Sequence, residues 1–144
     1  LKASPRDIAA GRFPALFTPC ATRPDLTILT YGGMVEEVEA VAWQLRTEEE
    51  LSVEVVILAL LSPLPKNTLA DHLADCPRLA VVEEAHCEFG IGAEIVASLA
   101  ERGFQGRMLR IATPPVPIPS ARSLESFVIP DKEEIRSHIL TLFE

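Results

Sequence analysis

The most continuous apolar run in the chain is Val55 to Leu61, and Glu54 alone interrupts the stretch Val53 to Ala59. A strand covered on both faces has this pattern, as at the centre of a parallel sheet. Upstream, Leu26 to Tyr31 is β-rich and stops at Gly32-Gly33. The period then changes. Met34, Val35, Val38, Val41, Ala42 and Leu45 recur at helical spacing, with Glu36, Glu37 and Glu39 between them. These acids fall in the early turns, where the helix dipole favours them. Pro63 and Pro65 stop the central strand, and Leu69 and Leu73 mark a short helix over Lys66 to Asp75. Leu79 to Glu83 is the next strand, followed by a helix from Gly92 to Arg102 with Gly103 as its C-cap. Arg107 to Ile111 is a further strand, and prolines hold Thr113 to Ser120 extended. The last helix starts at Asp131, an N-cap with Glu134 three residues on, and buries Ile135, Ile139, Leu142 and Phe143.

Strand and helix therefore alternate through most of the chain. That order predicts a three-layer α/β/α domain built on a mostly parallel sheet. The first two dozen residues carry four prolines and little periodicity. Residues 1–12 read as an inter-domain linker and 13–144 as the domain. Ala15 to Thr18 is a strand that Pro14 and Pro19 confine to a sheet edge. The chain begins Leu1-Lys2-Ala3, as a piece excised from a longer one would.

Composition narrows the function classes. With 13 basic and 21 acidic residues the formal net charge is -8, and the basic residues are scattered. That excludes nucleic acid and anionic membrane surfaces as partners, since both need a concentrated basic patch. No apolar run is long enough to span a bilayer. Cys20, Cys76 and Cys87 have unrelated spacings, make no disulfide framework and suit a reducing cytoplasm.

Reactive side chains concentrate in VVEEAHCEFGIGAEIV, Val81 to Val96. A metal site needs three or four converging ligands, and adjacent His86 and Cys87 diverge in a turn, so no metal ligand is assigned. Cys87 as a nucleophile would need a base and an oxyanion hole, and sequence adjacency to His86 supplies neither. Glu83 and Glu84 end a parallel strand, on the edge where open α/β sheets bind ligands. Consecutive strand residues point to opposite sides, which predicts one carboxylate in a local hydrogen bond and the other in solvent or at an interface. The helix starts at Tyr31-Gly32-Gly33 and at Phe89-Gly90-Ile91-Gly92 are anion-site candidates, with close strand–helix packing as the competing reading. Gly32, Gly33, Glu84, His86, Cys87, Glu88, Phe89, Gly90 and Gly92 are thus retained as interface or anion-site candidates. No catalytic or cofactor-binding residue is assigned.

Five segments in order resemble one family: DLTILTYGGMVEEVEAVA, SVEVVILALLSPLP, RLAVVEEAHCEFGIGAEIVASL, RIATPPVPIPSARSLE and VIPDKEEI. They are similar to successive pieces of the transketolase C-terminal domain, in the version that ends the beta subunit of thiamine-diphosphate-dependent 2-oxo acid dehydrogenases. The resemblance implies a five-stranded sheet with an antiparallel edge strand. It also implies a non-catalytic third of a larger enzyme. Thiamine diphosphate and Mg²⁺ would bind elsewhere in that parent, and this domain would hold no cofactor. Its role would be assembly: packing against the remaining domains and subunits, forming a homodimer, and docking a lipoyl acyltransferase. The related alternatives are the equivalent domain of a transketolase or deoxyxylulose-phosphate synthase, or a free-standing interaction or anion-binding module. Ile57 and Ala59 motivate the last, because they stand where the family carries charged residues.

Overall fold

A computed structural model of the chain describes residues 4–7, 14–18, 23–125 and 127–144. The strands are β1 (Ser4–Asp7), β2 (Pro14–Thr18), β3 (Leu26–Thr30), β4 (Val53–Leu58), β5 (Arg78–His86) and β6 (Arg107–Thr113). The helices are α1 (Val35–Glu48), α2 (Lys66–Leu73), α3 (Ile91–Glu101), the short α4 (Arg122–Glu125) and α5 (Lys132–Leu140). Cys20 and Pro19 lie outside the described residues.

One sheet contains all six strands, in the order β1-β2-β4-β3-β5-β6. β3 pairs in parallel with β4 and β5, and β5 with β6, while β2 runs antiparallel to β4. The mostly parallel α/β sheet is as the sequence pattern predicts, and the antiparallel direction of the strand over Ala15 to Thr18 is as the family resemblance implies. Among the described residues the strand count is six, one more than expected. Ser4–Asp7, within the stretch read as linker, pairs antiparallel to β2 and so displaces it from the edge.

Alternation along the central strands assigns each side chain to a layer. Ile28, Val55, Ala80 and Val82 pack with Val38, Val41 and Leu45 of α1 and Ile135 and Ile139 of α5. Leu29, Val56, Leu79 and Val81 pack with Leu69 and Leu73 of α2 and Ile95 and Leu99 of α3. β3 is buried at every position, as a strand covered on both faces must be. Asp131 caps α5 as expected, its carboxylate accepting from the Glu134 N–H at 2.9 Å. Gly103, just past α3, has φ 79°. Trp43 is exposed on α1.

Candidate functional site

β5 is longer than its apolar pattern suggests. It continues past Glu83 to His86, which pairs with Thr113 of β6 after an irregularity in register. The Cys87 N–H then donates to the Thr113 carbonyl at 2.8 Å. The expected turn over Glu84 to Glu88 shrinks to residues 87–89, because β6 offers backbone partners the sequence pattern does not reveal.

Alternation sends the two adjacent carboxylates to opposite layers. Glu83 follows Val81 onto the α3 side and is fully buried, at 0% exposure. Its Oε2 accepts from the Tyr31 hydroxyl at 2.8 Å and from the Gly92 N–H at 2.9 Å. α3 has no side-chain cap from its own N-cap residue, Gly90, so a carboxylate from β5 satisfies a first-turn donor instead. The other oxygen, Oε1, faces the Arg110 guanidinium of β6 at 3.5 Å and makes no hydrogen bond among the described residues. Arg110 also donates to the Cys87 carbonyl and so ties the turn to the same cluster. Burial first, then the hydrogen bond and charge of Glu83, push the Tyr31 hydroxyl above its ordinary pKa and keep it a donor.

This cluster explains the glycines at the start of α3. A Cβ on Gly92 would sit 2.4 Å from Glu83 Oε1, and one on Gly90 would sit 2.7 Å from the same atom. Of the two helix starts considered for an anion, that at Gly90 and Gly92 is therefore filled from within, by Glu83. Glu84 turns to the other layer and is exposed. Its carboxylate lies against Gly32 and Gly33, 2.8 Å from where a Cβ on Gly33 would be. It lines a surface depression with Gly33, Glu37, Glu125 and Asp131.

Among the remaining candidates, His86 and Glu88 are exposed and Cys87 is half-buried. Phe89 is 99% exposed and has φ 64°. Left-handed backbone is costly for a bulky residue with a Cβ, and nothing packs on this side chain to offset that cost. Phe89→Gly is therefore expected to stabilise the chain by about 1 kcal/mol. A thermal melt checks this, and a lowered midpoint would contradict it.

Elsewhere, His72 Nε2 lies 3.0 Å from Glu54 Oε2, to which Thr27 also donates at 3.3 Å. Burial pushes the neighbouring Cys76 thiol above its ordinary pKa, which suits an inert core cysteine. Among the described residues, no group of three His, Cys, Asp or Glu side chains could hold a metal ion. No described helix is long and apolar enough to cross a membrane. Arg110 and the pairing of Tyr31 with Glu83 are what the sequence reading passed over. The signals for them were the glycines at the start of α3 and an Arg set among Met108, Leu109 and Ile111 in the middle of β6.

These features define an α/β/α sheet domain whose strand–turn–helix is locked by a buried Glu-Tyr-Arg cluster. The model of the transketolase, C-terminal domain matches residues 20–135, and the chain belongs to that family. The chain is 37% identical over 114 residues to the pyruvate dehydrogenase E1 component subunit beta-1, mitochondrial, of Arabidopsis thaliana. That match covers 77% of this chain and 31% of the relative. The pyruvate dehydrogenase E1 component subunit beta of Bacillus subtilis is 34% identical over 114 residues, covering 77% of this chain and 34% of that one. The chain thus spans about a third of the length of these relatives. Among solved structures, a split gene transketolase, an inactive beta4 tetramer, superposes with TM-score 0.70 at 18% identity, over 84% of this chain and 39% of that one. The latter likeness is one of fold.

Proposed function

We propose that the chain is the C-terminal assembly domain of the beta subunit of a thiamine-diphosphate-dependent 2-oxo acid dehydrogenase. The observation that carries this reading is its identity of 37% and 34% to two pyruvate dehydrogenase beta subunits. The parent's reaction would be oxidative decarboxylation of a 2-oxo acid with acyl transfer to a lipoyl group. In this reading the domain contributes contacts with the remaining domains and subunits, an acyltransferase among them, and no catalytic group.

The site geometry supports an architectural role. The described residues do not fit a diphosphate, because the two helix starts that could receive one face Glu83 and Glu84. A carboxylate at each place repels an anionic ligand. Glu83, Tyr31 and Arg110 are committed to one another, an arrangement that fixes a turn rather than presenting a reactive group.

Two measurements test the reading. Thiamine diphosphate with Mg²⁺ is expected to leave the melting temperature unchanged, and a clear rise at micromolar cofactor would place the binding determinants in this domain after all. In the second, residues 13–144 replace the corresponding third of the Bacillus subtilis beta subunit. The chimera is expected to assemble with its alpha partner to the native size in gel filtration. Failure to assemble, with the chimera folded by circular dichroism, would overturn the proposal.

A further inference from the structure

Exposed apolar side chains on this fold are gathered on one edge. Seven large hydrophobic side chains are exposed among the described residues. Six of them, Leu60, Phe89, Val116, Ile118, Leu124 and Phe127, follow the C-terminal ends of β4, β5 and β6. Parallel pairing places those ends together on one edge of the sheet. Phe89 at 99% and Phe127 at 85% exposure are almost uncovered. Phe89 is also strained, so folding does not account for a phenylalanine at that turn. Apolar surface of this kind marks an interaction site.

Charge decides what can cover it. Glu37, Glu84, Glu125 and Asp131 surround the depression on this edge, and Glu88 is exposed beside Phe89. Of the cations with described side chains nearby, Arg110 is engaged with Glu83 and the Cys87 carbonyl, and Lys66 with Glu94. Lys132, beside Asp131, is exposed. A second copy docking edge to edge would bring the same carboxylates against these, a like-charge juxtaposition that opposes association.

We propose that the C-terminal edge of the sheet docks a basic protein surface, one with an apolar pocket for Phe89 and Phe127 rimmed by Lys or Arg side chains. This names the partner chemistry of the assembly domain and rests on that reading. The test uses the full chain labelled with ¹⁵N and a short amphipathic Leu/Lys helical peptide as probe, with the Leu/Glu peptide as control. Amide shifts are expected at Gly33, Glu84 and Phe89 and near Phe127, with the basic peptide alone, and they should weaken as salt is raised. The F89S/F127S variant should bind about ten-fold more weakly with an unchanged melting curve. Shifts confined to the face of α1 and α5, equal binding of the acidic peptide, or undiminished binding by the variant would each overturn the proposal. So would concentration-dependent dimers, without peptide, that shift the same amides. Failure of the domain reading shows separately, as a chimera that does not assemble while these shifts persist.

Discussion

Glu83→Ala is expected to lower the unfolding free energy by about 3–5 kcal/mol, the cost of removing one partner from a buried ion pair. The change strips the Arg110 guanidinium, at 25% exposure, of its counter-charge. It also leaves the Tyr31 hydroxyl and the Gly92 N–H without their acceptor. Three elements, β3, β5 and α3, lose their common fastening. Tyr31→Phe removes only one of these interactions and should cost about 1.5–3 kcal/mol, the range for a hydrogen bond to a charged group. Glu83→Gln keeps an acceptor but loses the charge opposite Arg110, and should fall between the two. Urea unfolding of the three variants gives the order directly. A loss of less than about 1 kcal/mol for Glu83→Ala, within the ordinary run of substitutions, would show that the cluster is not a keystone.

Gly92→Ala sets helix propensity against space. Alanine in place of glycine favours a helix by about 1 kcal/mol. Here the added methyl would lie 2.4 Å from Glu83 Oε1, 2.9 Å from its Cδ and 3.1 Å from Val81 Cγ1. None of these atoms can move far, because Glu83 is held by two hydrogen bonds and Val81 is fully buried. Overpacking should win, with a net loss of about 1–3 kcal/mol. The double variant Glu83→Ala/Gly92→Ala gives the sharper readout. With the carboxylate gone the methyl has room, so the two losses should fall short of additivity by about 0.5–3 kcal/mol. Strict additivity would mean that the glycine is there for another reason.

Much of the layer architecture was legible in the chain itself. The period change at Gly32-Gly33, the unbroken apolar character of Val53 to Ala59 and the Asp131 cap report local physics, which the sequence carries directly. The family likeness was legible for a similar reason, since ordered strand–turn–helix segments leave a linear record. β1 was not, because Ser4–Asp7 has no apolar alternation and owes its strand to pairing with β2. The extension of β5 to His86 was hidden likewise, since its partner is Thr113 on another strand.

The candidate site divides along the same line. Period-two alternation by itself required Glu83 and Glu84 to part, and the glycines after them left open both an anion site and a close strand–helix approach. Which carboxylate would be buried depended on the tertiary structure. Tyr31 directly follows β3 and Arg110 lies in β6, far from Glu83 in sequence, and the parallel sheet brings both to the same layer. The full exposure of Phe89 was equally beyond the sequence, which placed it among the interface or anion-site candidates but could not say how it would lie. Side-chain direction along a strand is set by local geometry, whereas the partner of a buried charge is set by which strands are neighbours. The chain alone therefore determined that two acids diverge ahead of a glycine-led helix, and only the packed sheet decided that one of them would be that helix's cap.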